Sequence, residues 1–348
     1  MFLDFYGLRE EPFGVTPDSR FLYLSPEHRE ALASLYYGIE AGRGFLALIA
    51  VPGMGKTTLL FHLLERFRST ARTAFLFQTQ CNSREFMRFL LTELGCESGV
   101  GQDPVLMHDE FNRLLLQEAR AGRRCIVIVD EAQNLDFSVL ETIRLLSDFE
   151  TPRAKLLQIV LAGQPGLADK LAHPALAQLR QRISLIGRLN TLPPHEIRNY
   201  MQYRLKMAGL KQQTVFTDEA YAMISELSLG IPRNINNLCF NALSLGFALS
   251  QKTIGGDIMR EVAADLDLSS LVSHPGERSC PPDPRFDGAS RESGDWAQPE
   301  RPYTQVPPIM ASTLGADPRT GETVTPLEAK AYMQQVVQLL RNGTRNPN

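Results

Sequence analysis

Residues 45–57 read Phe45-Leu-Ala-Leu-Ile-Ala50-Val-Pro-Gly53-Met-Gly55-Lys56-Thr57, an apolar run, a glycine-bearing turn and then Lys-Thr. The apolar run predicts a buried strand. Leu59, Leu60, Leu63, Leu64 and Phe67 recur at helical spacing and predict a helix from Lys56 to Phe67 with one packed face. Strand, glycine turn and helix in that order is the setting in which a GxxxxGK[ST]-like segment has a mechanism. Gly53 and Gly55 let backbone amides face inward, and the helix start presents its positive end to an anion. Lys56 can then reach the β- and γ-phosphates of ATP, and Thr57 can offer a hydroxyl to Mg2+. The candidate phosphate-binding residues are Val51, Pro52, Gly53, Met54, Gly55, Lys56, Thr57 and Thr58. Ala50 stands where the pattern usually has its first glycine, which predicts modest strain at the loop start and leaves the cradle complete.

A second apolar run, Cys125 to Val129, ends in Asp130-Glu131. These carboxylates are chemically unequal: Asp130 can orient the metal and its waters, while Glu131 can take a proton from a water attacking the γ-phosphate. Beside a phosphate loop, that pair implies Mg2+-dependent hydrolysis. The string Asp130-Glu-Ala-Gln133 also occurs in helicases, but a helicase would need a second sheet domain where this chain turns helical. The run Leu156 to Ala162 ends in Gly163-Gln164-Pro165, so Gln164 is a candidate to bond the γ-phosphate or the water, or else a simple turn residue. Arg180 and Arg182 sit at a helix end before the last strand. From there an arginine reaches a neighbouring subunit's nucleotide more readily than its own, and Arg182 is the favoured finger. Arg233, in the first turn of a later helix (Gly230-Ile-Pro232-Arg233-Asn234), is a cation at the positive end of a helix dipole. It calls for an anion such as a nucleotide phosphate.

Outward from these motifs, residues 43–191 alternate strand and helix patterns, with strands at Phe45–Ala50, Thr73–Gln78, Cys125–Val129, Leu156–Ala162 and Ile183–Ile186, each apolar enough to be buried on both faces. The expected fold is α/β: a P-loop NTPase core with a parallel five-stranded sheet, followed over 192–268 by an all-α lid. Thr217-Asp218-Glu219 is a capped helix start within that lid. Residues 1–42 form an N-terminal segment and first helix. The Pro-, Gly- and Ser-rich stretch 269–324 predicts a disordered linker. Residues 325–343 predict an amphipathic tail helix that folds back or docks on a partner. The net charge of −3 supplies no overall basic field, and five scattered cysteines without a CxxC pair argue against a disulfide framework or zinc site. Asp4, Glu10 and Glu11 argue against a signal peptide, and no run has the length of a membrane span. A cytoplasmic location follows, with any membrane contact made through partners.

The order of phosphate loop, Asp-Glu strand end, Gln164, Arg180/Arg182, helical lid and Gly-x-Pro-Arg233 resembles that of AAA+ ATPases, over residues 1–268. More narrowly, Phe5-Tyr-Gly-Leu8, Glu11-Pro-Phe13, Thr16-Pro-Asp18, Phe21-Leu-Tyr23, His28-Arg-Glu-Ala31-Leu, Gly163-Gln-Pro165, Leu179-Arg-Gln-Arg182-Ile and Gly230-Ile-Pro-Arg233-Asn-Ile resemble the ExeA/GspA type (general secretion pathway protein A-like). The resemblance implies ATP-dependent ring or dimer assembly and a secretion or envelope-assembly protein partner. It also implies a base bordered by Phe13 to Pro17, with Tyr200 of the lid opposite. Secretion members of the family continue into a membrane span and a peptidoglycan-binding domain, neither of which is legible here. A more distant resemblance, to ATPase regulators of DNA transposition, leaves DNA binding as the alternative function. Scarce lysine and no basic stripe on any predicted helix weigh against it.

Overall fold

The structure, a computed structural model, describes residues 2–77, 80–96, 103–151, 154–211 and 214–266. The expected linker 269–324 and tail helix 325–343 lie outside the described residues. Strands β1 (Phe45–Ala50), β2 (Ala71–Leu76), β3 (Arg124–Val129), β4 (Leu157–Gly163) and β5 (Ile183–Leu189) form one parallel sheet in the order β2-β3-β4-β1-β5. Helices connect them: α1 (Phe2–Tyr6) and α2 (Pro26–Glu40) precede β1, α3 (Lys56–Phe67) follows it, and α4 (Ser83–Glu93) and α5 (Pro104–Arg120) lie between β2 and β3. Helices α6 (Phe137–Leu146), α7 (Pro165–Ala172) and α8 (Ala177–Arg182) complete this half.

Every residue of β1 and β4 is buried, as expected of parallel strands covered on both faces. Phe111, Leu115, Val127, Leu140 and Ile143 fill one side of the sheet, where truncating a leucine to alanine would cost about 2–5 kcal/mol. Strand β5 departs from the expectation of burial on both faces: Ser184, Ile186 and Arg188 are exposed, alternating with more buried neighbours. The reason is position. It is an edge strand paired only to β1, so one row of its side chains is left facing outward.

The strand order decides where the motifs meet. Val129 of β3 pairs with Leu161 of β4, and Gly163 of β4 pairs with Ile49 of β1. The C-terminal ends of β1, β3 and β4 therefore lie side by side, and the segments after them converge on one edge of the sheet, where ligands bind in open α/β folds.

Beyond β5 the chain is helical: α9 (Pro194–Met207), α10 (Asp218–Ser228), α11 (Pro232–Ala248) and α12 (Gly256–Leu266). Thr217 accepts from the Ala220 amide and caps α10, as its Thr-Asp-Glu start predicts. Met201, Phe216, Ile224, Ile235, Leu243 and Met259 make the core of this unit. Tyr6, Leu8, Phe13 and Phe21 from the N-terminal segment are buried in that same core. The Tyr6 hydroxyl donates to the Leu243 carbonyl at 2.9 Å, and the Arg9 amide to the Ala208 carbonyl at 2.8 Å. The start of the chain is thus fastened to the lid, while α2 packs on β5 and α3. Among the described residues no helix is long and apolar enough to cross a membrane.

Candidate functional site

The turn between β1 and α3 adopts its shape through two left-handed glycines, Gly53 at φ +86° and Gly55 at φ +85°. Gly55 occupies the cap position of α3, and no side chain caps the helix, so its first-turn amides face the turn without a side-chain partner. Ala50 is the last residue of β1 and is not left-handed; among the described non-glycine residues only Glu131, Leu229 and Ser250 have positive φ. The strain expected at Ala50 is absent because the strand runs through it and the chain turns only later. His28 of α2 is buried against the loop, its Nε2 3.0 Å from the Met54 carbonyl. A carbonyl only accepts, so Nε2 carries the proton.

At the end of β3, the buried Asp130 accepts from the Thr57 hydroxyl at 2.6 Å and from the Glu131 amide at 2.9 Å. Burial pushes the Asp130 carboxyl above its ordinary range, against the pull of the Thr57 bond and the Lys56 charge. Glu131 sits in the left-handed region at φ +52°, unusual for a side-chain-bearing residue. Its Oε1 meets Lys56 Nζ at 3.2 Å, and its Oε2 accepts from Gln133 Nε2 at 2.6 Å and from Gln164 Nε2 at 3.1 Å. Partial burial is the largest single influence on this carboxyl and pushes it up. The bonds from Gln133, Lys56 and Gln164 together outweigh it, so Glu131 is held below the usual carboxylate range and ionised.

These groups open on a cleft between the loop and the lid. The backbone amide of Arg233, in the first turn of α11, donates to the Gly53 carbonyl at 3.1 Å, so the lid rests directly on the turn. The exposed Arg233 side chain lines the cleft, with no ion pair among the described residues. The opposite wall is Gly14 to Asp18. Arg204 of α9 holds that wall: Nε donates to the Pro12 carbonyl at 2.5 Å, Nη2 to the Gly14 carbonyl at 3.3 Å and Nη1 to the Tyr200 hydroxyl at 3.0 Å. Tyr200 in turn donates to Asn236 Oδ1 at 2.7 Å.

Residues 39–171 match the AAA domain family. The chain is 39% identical over 259 residues to general secretion pathway protein A of Aeromonas hydrophila, an alignment that spans 74% of this chain and 47% of that protein. The chain carries an AAA+ core and is similar to general secretion pathway protein A. It spans about half the length of that curated relative. The fold is also that of the ORC2 protein of Aeropyrum pernix, solved as ADPNP-ADP complexes (TM-score 0.56, 15% identity, 76% of this chain and 75% of that one). Cdc6p of Pyrobaculum aerophilum shares it too (TM-score 0.55, 19% identity, 75% of each chain).

In this AAA+ protein the cleft is lined by Pro52 to Thr58, Glu131, Gln164, Tyr200 and Arg233, while Val51 lies outside the lining and Asp130 lies beneath it, bonded to Thr57. Phe13 does not face the cleft. It is buried in the lid core, edge-to-face with Phe216 at 6.3 Å, while the rest of the expected stretch, Gly14 to Pro17, lines the cleft together with Asp18. A large aromatic ring gains more from that core than from a solvated wall. Arg180 and Arg182 lie outside the cleft: Arg180 Nη1 donates to the Ala172 carbonyl at 3.0 Å, and Arg182 is bonded to Ser147, Asp148 and the Arg144 carbonyl at the end of α6. The residues missed from sequence are His28, Gln133, Arg204 and Asn236. Two carried a local signal, since Arg204 follows Tyr200 by four and Asn236 follows Arg233 by three, each pair sharing a helix face.

The donor set fits Mg2+. Among the described residues no cluster of three or more His, Cys, Asp or Glu could hold a metal alone. The Thr57 hydroxyl and Asp130 carboxylate instead offer two oxygen donors beside a phosphate-shaped turn, the sparse set of a cation that keeps its waters and takes its other ligands from phosphate.

Proposed function

We propose that the chain binds ATP with Mg2+ in the cleft, hydrolyses it, and uses the cycle to drive or switch a secretion, export or envelope-assembly system. The observation that carries the ATPase reading is the placement of an ionised Glu131 at the cleft's edge, with Lys56 on one carboxylate oxygen and Gln164 on the other. In this reading Pro52 to Thr58 cradle the phosphates, with Val51 leading into the loop, and Lys56 leaves Glu131 for the β- and γ-phosphates. Thr57 and Asp130 would hold the cation, which supplies neutralisation of phosphate charge when bound. Glu131 then accepts the proton of the attacking water, Gln164 orients that water or the γ-phosphate, and Arg233 closes from the lid. Gly14 to Asp18 and the Tyr200 side border the base.

The organisation into a base-bordering segment (1–42), nucleotide-binding core (43–191) and lid (192–268) belongs to the same proposal. So does assembly as a ring or dimer in which Arg182, or Arg180, completes a neighbour's site, which makes hydrolysis rise with protein concentration. The position of both arginines outside their own cleft supports this. The pathway rests on the similarity to general secretion pathway protein A, and the location proposed is cytoplasmic, reaching a membrane only through a partner.

The test is Glu131→Gln. It keeps the size of the side chain but removes the base and one of its two acceptor oxygens, so ATP should still bind while turnover drops to background in a phosphate-release assay. Unimpaired turnover would sink the assignment.

A further inference from the structure

Glu131 lies two residues past the end of β3 and is left-handed, a conformation that side-chain-bearing residues avoid, and side-chain partners hold its carboxylate at the cleft. One of these partners is Gln133. It stands on the short 3-10 turn Ala132–Asn134, is half-buried, and does not line the cleft. Its amide is used at both ends: Nε2 donates to Glu131 Oε2 at 2.6 Å, and Oε1 accepts from the Gln164 backbone amide at 3.0 Å. The orientation follows from the partners. A carboxylate only accepts and a backbone N–H only donates, so the amide can face one way only.

The surroundings are built to keep it there. A side chain at position 163 would place its Cβ 2.7 Å from Gln133 Oε1 and 2.8 Å from Leu167 Cδ2, so glycine there leaves the Gln133 amide undisturbed where any other residue would push it aside. Lys170 of α7 donates to the carbonyls of Gln133 at 2.6 Å and Leu135 at 2.8 Å, fastening the turn to the helix that Gln164 begins. The turn after β3 is therefore joined to the turn after β4 and to α7 by four hydrogen bonds, two from Gln164 and two from Lys170, and two of the four end on Gln133.

We infer that Gln133 is a positioning residue that locks Glu131 and Gln164 into one constellation, so that the rate of hydrolysis, and not the affinity for nucleotide, depends on a side chain outside the cleft. The inference rests on the reading of Glu131 as the base. Glutamine suits the task because it joins a donor and an acceptor on one planar group: glutamate would set a carboxylate against Glu131, asparagine would draw the amide back by one methylene, and methionine would keep the length while losing both bonds.

The experiment compares wild-type protein with Gln133→Met, Gln133→Asn and Glu131→Gln, measuring steady-state ATP hydrolysis, binding of a fluorescent ATP analogue, and thermal unfolding. Removing a supporting partner of this kind lowers activity about 10–100-fold. That loss is expected in kcat for Gln133→Met, with analogue affinity and unfolding temperature unchanged. Adding Gln164→Ala to it should cost less than the two single effects combined, because both act on the same carboxylate. If Gln133→Met fails to fold, Gln133→Asn is read by the same criteria. Should Glu131→Gln retain turnover, the reading of the site fails first. If Glu131→Gln is inactive while Gln133→Met keeps full kcat, or loses kcat only in step with nucleotide affinity, the positioning role is overturned.

Discussion

Two glycines of the phosphate loop share a backbone conformation and differ in what surrounds them, which makes them a matched pair. Gly53 and Gly55 have φ of +86° and +85°. A Cβ at Gly55 would meet nothing within 4 Å, whereas at Gly53 it would lie 2.8 Å from Arg233 Cβ and 3.0 Å from Ile231 Cγ2, both on the lid. Gly55→Ala should therefore cost only the left-handed strain of an L residue, about 1–2 kcal/mol. Gly53→Ala carries the same strain plus an overpacking penalty of about 1–3 kcal/mol, because Arg233 Cβ is bonded directly to the backbone and Ile231 Cγ2 lies only one bond beyond its own Cβ, so neither can swing far aside. The entropy that alanine removes from the unfolded chain is common to both and cancels in the comparison. In nucleotide-free protein, Gly53→Ala should unfold at lower temperature than Gly55→Ala, by about 2–4 °C for each additional kcal/mol. The Arg233 amide must also shift from the Gly53 carbonyl, 3.1 Å away, so a protease should cut the lid of Gly53→Ala faster. Equal unfolding temperatures for the two variants would refute the claim that the lid rests on this loop.

Arg204→Met should strand the buried Pro12 carbonyl, at a cost of about 1–3 kcal/mol measurable by urea unfolding, and leave the half-buried Gly14 carbonyl with only its 3.5 Å bond from Asn236. Nucleotide affinity should fall with it, because the same carbonyls shape the wall at Gly14 to Asp18, and unchanged affinity would detach that wall from binding. His28 gives a pH dependence. Burial depresses its imidazole below the ordinary 6.5, against the opposing bond to Met54. Below 6.5 the unfolded chain binds the proton first, so the contribution is fully present above that value and declines as pH falls toward the folded-state value. His28→Asn should flatten the stability profile through that window, and a profile identical to wild type would show that His28 is not kept neutral.

What could be read from the chain divides by distance along it. The phosphate loop was legible because strand, glycines, lysine and helix are consecutive, and the paired acids because they end a recognisable strand. The partners of those residues were not. Arg204 reaches Pro12 across 192 positions and His28 reaches Met54 across 26, and no local pattern announces either. Phe13 shows the limit most clearly: the family resemblance implies a place beside the base, but the ring turns into the core against Phe216, supplied by the distant helical unit. Gln133 stands in plain view in Asp130-Glu-Ala-Gln133, but as sequence that string is only helicase-like and names no partner for the glutamine. Its partner Glu131 owes its direction to a left-handed φ that nothing in its residue type predicts, and that reversal brings two side chains separated by one alanine to within 2.6 Å. In an extended continuation of β3 residues 131 and 133 would share a face with side chains roughly 7 Å apart along the strand, too far for this bond. The tight turn after β3 therefore does more than end the strand, since it converts a sequence neighbour into a ligand of the base.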